Sequence, residues 1–324
     1  RLSDFSKRSV CVIGAGSWGS NHIRTLHELN ALGGIADIDQ SKLVEISANY
    51  PNVSFHKNLE EALKSSYDGY IISTPAFTHS EIAERVIKSR HHLLVEKPLA
   101  LRVADAEKLK IMAEEYGINL MAGHLLLFHP AIVAIKKMIT EGSIGDIQYL
   151  YSNRLNLGIV RTEENILWSF APHDISVFQY LINDFPVDII SRGGAFLRSN
   201  VHDTTMTVLR YPDNIIGHIF VSWLHPFKEH RLVVIGSDGM ITFEDSSNEK
   251  ALFYYDKTVD LIDGQHVASD VKRERINYQH RMPLTEELSY FLNHLDGKTI
   301  EISTADHAIE VLKILETASQ SLQV

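Results

Sequence analysis

A lysine and a carboxylate stand side by side in the run HHLLVEKPLA, where the apolar residues Leu93–Val95 pass directly into Glu96-Lys97-Pro98. A strand over 93–95 would deliver the pair to its carboxyl end. A lysine partly desolvated there has a lowered pKa and can exchange a proton with an alcohol. Pro98 restricts the local backbone and would aim the side chain. The competing reading is an ordinary surface ion pair, which contributes little; the residues alone do not choose between the two.

A second constellation is built for binding. In SVCVIGAGSWGSNHIRTLHEL, Gly14-Ala15-Gly16-Ser17-Trp18-Gly19 fits G-x-G-x-x-G between an apolar strand, Val10–Ile13, and a helix starting near Ser17. Gly14 permits the tight turn, Gly16 lets a pyrophosphate approach the backbone, and Gly19 allows close helix–strand packing. The N-terminal N–H groups of the helix, at Ser17 and Trp18, are open to phosphate. Asp37, 23 residues beyond Gly14, is placed to accept from ribose hydroxyls and to repel a 2′-phosphate. No arginine follows it, which favours NAD over its phosphorylated form, while Asp39 is expected to cap a helix over 40–49. Ser73, Thr74 and Pro75 in YIISTPAFTHS fall at another strand end. There Thr78 is expected to cap the next helix, and His79 either lines the cofactor crevice or stands exposed.

These residues need a scaffold that collects strand ends on one edge. Apolar runs at Val10–Ile13, Gly34–Ile38, Tyr70–Ser73, Leu93–Val95 and Asn119–Ala122 alternate with amphipathic stretches, including 79–89 and 102–116. That alternation predicts an α/β, doubly wound parallel Rossmann sheet over residues 1–122. From 123 to 324 the texture changes to closely spaced strands at Ile147–Asn153, Asp188–Gly193, Thr204–Arg210, Ile215–Ser222, Arg231–Gly236 and Met240–Glu244. RYPDNIIG is read as a turn, with helices predicted over Pro172–Ile182, 283–296 and 303–322. This second part is expected to be α+β, on a large, mostly antiparallel sheet with one open face.

Composition narrows the classes. The 324 residues have 44% hydrophobic and 22% charged side chains and a formal charge of −10, which argues against nucleic acid as partner. VKRER at 271–275 is the densest basic run and reads as a solvated edge or loop. The single cysteine, Cys11, excludes an intrachain disulfide and fits a reducing, cytoplasmic setting. No apolar run approaches the roughly 20 residues of a membrane span, and RLSDFSKRS has no signal-type hydrophobic segment. The 17 histidines show no H-E-x-x-H or H-x-x-E-H spacing, so no metal is expected.

The glycine fingerprint, Ser73-Thr74-Pro75 with His79, and Glu96-Lys97-Pro98-Leu99-Ala100 together resemble the glucose–fructose oxidoreductase/inositol dehydrogenase family. The resemblance implies a dinucleotide domain followed by a domain whose open sheet face makes homo-oligomer contacts. It also implies that Lys97 is catalytic at the cofactor edge beside Glu96, and that the Lys97–Pro98 bond is cis. The family's second motif sets an aspartate four residues before a histidine. Here His173 takes the histidine position, after Pro172 at the predicted helix start, and Ser169 stands where the aspartate would. A helix N-terminus would keep His173 neutral, and Asp174 would satisfy first-turn N–H groups. Trp168 is packing, or a wall for sugar or nicotinamide.

Two further segments, VSWLHPFKEHRLVVIGSDGMITFEDS and PLTEELSYFLNHL, are similar to oxidoreductases acting on nucleotide-linked amino sugars. That likeness implies oxidation of a UDP-linked N-acetylhexosamine, at C3 of UDP-N-acetylglucosamine, to a keto sugar. Trp223, His225, Lys228 and Arg231 would form a polar, cationic wall. Arg154 and Arg161 are further candidates for phosphate contacts, although each alone is more often a solvated charge or a salt bridge. His124 and His129 fall near the expected junction of the domains, with His129-Pro130 opening a helix. A free cyclitol or monosaccharide, or a UDP-aminouronate, is the alternative substrate; an inactive NAD-binding sensor is the alternative of another class.

Overall fold

The computed structural model describes residues 4–158, 160, 164–256, 259–268 and 271–322. Packing divides the chain into two compact units, Arg1–Phe128 with Arg281–Leu312, and His129–His280 with Lys313–Val324.

The first unit alternates β1 Val10–Ile13, α1 Ser17–Glu28, β2 Leu32–Ala36, α2 Gln40–Ser47, β3 Ser54–His56, α3 Leu59–Leu63, β4 Gly69–Ile72, α4 His79–Lys88, β5 His92–Glu96, α5 Val103–Tyr116 and β6 Leu120–Gly123. The six strands form one parallel sheet in the order β3-β2-β1-β4-β5-β6. β1 and β4 are buried along their whole length, which is why they read as unbroken apolar runs rather than alternations. The order reverses direction beside β1, so the carboxyl ends of β1 and β4 flank the crevice where ligands of open α/β sheets bind. β3 is three residues long and half exposed, too short and polar to register as a strand in the sequence.

The second unit contains α6 Pro130–Thr140, β7 Ile147–Leu155, α7 Ile166–Ile182, β8 Asp188–Gly194, β9 Thr204–Arg210, β10 Ile216–Ser222, β11 Glu229–Gly236, β12 Gly239–Glu244, β13 Leu252–Asp256, a small hairpin of β14 Val259–Ile262 and β15 Gln265–Ala268, and β16 Arg273–Arg275. Its eight-stranded sheet runs β16-β13-β12-β11-β7-β10-β9-β8. Every pairing is antiparallel except β7 with β10. α7 covers one face. On the other, Ile190, Met206, Val208 and Ile216 are exposed, and the rings of Tyr151 and His218 stack at 5.0 Å. β16, an exposed edge strand, holds the basic run.

The chain ends in α8 Pro283–Asn293 and α9 Ala305–Leu322. Sequence texture places a single boundary after residue 122, whereas α8 packs with the first unit. Its buried residues Leu288, Phe291 and Leu292 belong to that core, and the Tyr290 ring lies 5.3 Å from that of Phe128.

Candidate active site

The glycine loop after β1 is shaped by close backbone approach. Gly14 has φ +96°, and a Cβ there would stand 2.8 Å from the Ser73 carbonyl oxygen. A Cβ on Gly19 would stand 1.8 Å from the Gly14 carbonyl oxygen, so α1 can reach the loop only without a side chain at that position. Gly16 differs, because a Cβ there would meet nothing within 4 Å. Its missing side chain leaves space for something outside the protein. Gly16 is also the N-cap of α1 and makes no side-chain capping bond, so the first N–H groups face outward, the arrangement that receives phosphate. Ser17 and Trp18 are exposed on that first turn.

A cleft of about 640 Å³ opens beside this loop, lined by Gly14, Gly16, Asp37, Ser73, Thr74, Pro75 and Phe77 among others. Asp37 accepts hydrogen bonds from the Ala15 N–H (2.7 Å) and the Asp39 N–H (2.8 Å), tying the end of β2 to the glycine loop. Asp39 caps α2 as expected, accepting from Ser41 N–H at 3.0 Å. Ser73 donates to the Gly14 carbonyl (3.0 Å) and joins the two loops. Thr78, expected to cap α4, makes no capping bond; its hydroxyl donates instead to Pro75 O at 2.7 Å. The open helix N-terminus at Gly16, the Asp37 carboxylate in the cleft lining and the mostly apolar cleft fit a dinucleotide.

At the end of β5 the Lys97–Pro98 peptide is cis and Lys97 is half-buried. Glu96 is not a simple partner to it. One carboxylate oxygen lies 2.7 Å from His22 Nε2, and the other accepts from the Lys97 backbone N–H at 3.1 Å. His22 comes from the inner face of α1, in the apolar stripe with Ile23 and Leu26; that stripe is the signal by which it could have been found in the sequence. Two further buried groups join the cluster. Glu287 on α8 is 1% exposed; burial, with the Glu96 charge nearby, pushes its carboxyl well above the usual range. His124, just after β6, has no hydrogen-bond partner for either ring nitrogen among the described residues. Burial, with His307 and Lys97 nearby, holds its ring well below the usual histidine range. His79, neither exposed nor in the cleft lining, is 1% exposed with both nitrogens on backbone carbonyls.

The second unit carries the other candidates. α7 begins at Ile166, with Asn165 as N-cap accepting from Trp168 N–H at 3.1 Å, and Pro172 lies inside it. This corrects the helix start expected at Pro172. His173 sits well within the helix, where the N-terminal dipole argument for its neutrality does not apply. Asp174 likewise serves no first-turn N–H; it receives Arg154 in a bidentate, buried ion pair at 2.7 and 3.2 Å. Arg154 is thereby committed to α7, and His230 beside it is held down to about 3, chiefly by burial and then by the Arg154 charge. Trp168 donates from Nε1 to Ser319 Oγ at 2.9 Å. Ser169 is buried one turn before His173 on α7.

Between β10 and β11, Lys228 is exposed and His225 half-buried, the His225 ring against Phe227 at 4.5 Å. Trp223 leaves the expected cationic wall, being fully buried core, and Arg231 pairs with Glu244 at 2.9 Å. His129 caps α6, accepting from Ala131 N–H at 3.1 Å. Arg161 lies outside the described residues. Among the described residues no group of three or more His, Cys, Asp or Glu side chains is placed to hold a metal, and no helix is long and apolar enough to cross a membrane.

A parallel sheet with this glycine loop at a strand end defines a dinucleotide-binding protein of the Rossmann class. Residues 8–124 match the oxidoreductase family model with an NAD-binding Rossmann fold, and residues 132–242 match the GFO/IDH/MocA C-terminal domain. The chain belongs to the GFO/IDH/MocA family; its cofactor is NAD and it acts on CH–OH groups. A UDP-N-acetylglucosamine 3-dehydrogenase of Acidithiobacillus ferrooxidans is 25% identical over 288 residues, 87% of each chain. A 2,7-anhydro-N-acetylneuraminate hydratase of Escherichia coli is 23% identical over 252 residues, 72% of this chain and 66% of that one. A solved structure of the Acidithiobacillus 3-dehydrogenase superposes with TM-score 0.87 at 22% identity, covering 98% of this chain and 97% of that one.

Proposed function

We propose that this protein oxidises a secondary hydroxyl, that at C3, of a UDP-linked N-acetylhexosamine such as UDP-N-acetylglucosamine, yielding the keto sugar. The observation that carries the reading is Lys97, delivered by β5 to the same sheet edge as the dinucleotide loop and backed by the His22–Glu96 pair. The 3-dehydrogenase relative, aligned over 87% of both chains, supports the choice of sugar and carbon.

Gly14, Gly16, Gly19, Ser73, Thr74, Pro75 and Asp37 hold NAD, which when bound accepts the hydride released at the sugar carbon. Lys97 Nζ takes the hydroxyl proton, and His173 is the second proton-handling group. Ser169 offers His173 a hydroxyl but no charge, so the histidine lacks the orienting carboxylate of the family pattern. Lys228 and His225 contact the diphosphate, whereas Arg154 acts by fixing α7 through Asp174. Most of the acceleration comes from alignment and fixed charge at the reacting carbon. The exposed sheet face with Ile190, Met206 and Val208 joins copies of the chain. The keto product is the substrate form an aminotransferase requires, and the lone buried thiol suits a reducing compartment.

The test is a panel of UDP-hexosamines and free polyols incubated with enzyme and NAD, following cofactor reduction. Turnover with UDP-N-acetylglucosamine and none with free inositol is expected. Activity confined to free polyols would remove the nucleotide-sugar reading.

A further inference from the structure

His79 opens α4 and is almost completely buried. Its Nδ1 lies 2.8 Å from the Pro98 carbonyl oxygen, and its Nε2 lies 2.8 Å from the Thr74 carbonyl oxygen. Carbonyl oxygens only accept, so the ring nitrogen that carries the hydrogen donates to one of these carbonyls while the other nitrogen packs against the second. Thr74 lines the dinucleotide cleft, and its loop is braced internally by the Thr74–Thr78 hydroxyl contact at 2.7 Å. Pro98 directly follows Lys97. One imidazole therefore spans two loops with different duties, one lining the cofactor cleft and one carrying the lysine. An aromatic ring of similar size would fill the volume but supply no N–H donor.

We propose that His79 is a positioning residue that couples occupancy of the dinucleotide cleft to the placement of Lys97. A ligand that fixes the Thr74 loop fixes the ring, and the ring fixes Pro98 and with it Lys97. By linkage the coupling is reciprocal, so loosening the lysine loop weakens cofactor binding. The inference rests on the reading of Lys97 as the proton acceptor only for its catalytic consequence, not for the coupling itself.

The test uses ADP-ribose, which lacks the nicotinamide, and reads amide hydrogen exchange across residues 96–101 of the intact enzyme, its His79→Phe variant and its His79→Gln variant. In the wild type, ADP-ribose should slow exchange in that segment. In His79→Phe the slowing should vanish although ADP-ribose still binds, with affinity lowered about tenfold, within the usual range of coupling between sites. His79→Gln, whose amide can donate to one of the two carbonyls, should restore part of it. In turnover, kcat should fall in the same order while the sugar KM stays within a few-fold. Full wild-type slowing in both variants, or in His79→Gln alone if His79→Phe does not fold, overturns the proposal, as does absence of slowing in the wild type. A Lys97→Met enzyme with normal turnover would instead overturn the proposed function while leaving the exchange result standing.

Discussion

Replacing Glu287 by glutamine should stabilise the protein at neutral pH and leave it nearly unchanged in mild acid. The carboxyl is 1% exposed, its Oε1 has no hydrogen-bond partner among the described residues, and Glu96 lies within electrostatic reach. Burial, reinforced by the Glu96 charge, favours its protonated form and raises its pKa above the usual 4.5. In the unfolded chain the group loses its proton near its ordinary value, while in the folded chain it keeps it. Above about pH 4.5 the native state therefore binds more protons than the unfolded state, and stability falls as pH rises. Each pH unit over which the folded carboxyl stays protonated costs about 1.4 kcal/mol. Glutamine has a similar volume and no ionisation, so it escapes this slope, and the variant gains on wild type as pH rises above about 4.5. Urea unfolding of both proteins at pH 5, 6, 7 and 8 gives the difference directly. A difference independent of pH would refute the reasoning, because it would mean the carboxyl ionises alike in both states.

The glycine loop allows a paired experiment. Gly19→Ala sets a methyl 1.8 Å from the Gly14 carbonyl and should lower both the thermal midpoint and NAD affinity. Gly16→Ala meets nothing within 4 Å and should leave the midpoint unchanged while weakening NAD at least tenfold, a contrast read by thermal shift and NAD titration. Asp174→Ala strands the Arg154 guanidinium in a largely buried site and should cost about 3–5 kcal/mol; chemical denaturation should show much of that loss recovered in the Arg154→Met, Asp174→Leu double variant. Lys97→Met should abolish turnover yet bind NAD within a few-fold of wild type, as measured by titration calorimetry.

Much of the first unit was legible because both-face-buried strands leave unmistakable apolar runs and because glycine is demanded wherever backbones nearly touch. Val10–Ile13 and the roles of Gly14 and Gly19 follow from local sequence alone. The polar network behind Lys97 does not. His22 and Glu287 lie far apart in the chain; the apolar stripe of α1 marks His22 as inward-facing, but nothing local shows that Glu96 and Glu287 are gathered near it. His79 was expected to line the cofactor crevice or stand exposed; it does neither, because its two carbonyl partners depend on how the loops after β4 and β5 close. The start of α7 was misplaced by trusting Pro172 as a helix opener, when Asn165 supplies the cap and the proline is carried inside. That error propagated to Asp174, whose partner Arg154 lies on a strand 20 residues earlier. β13 to β16 escaped notice because they are short, three to five residues each, and leave too brief a pattern to read as strands.

In the proposed reaction the C3–H bond of a UDP-N-acetylhexosamine is the bond broken. UDP-N-acetylglucosamine deuterated at C3 should be incubated with the enzyme and NAD, and the reduced cofactor isolated for mass spectrometry and NMR. One deuterium per reduced cofactor is expected, carried at the nicotinamide C4. A reduced cofactor free of deuterium, with the label retained in the sugar, would contradict it.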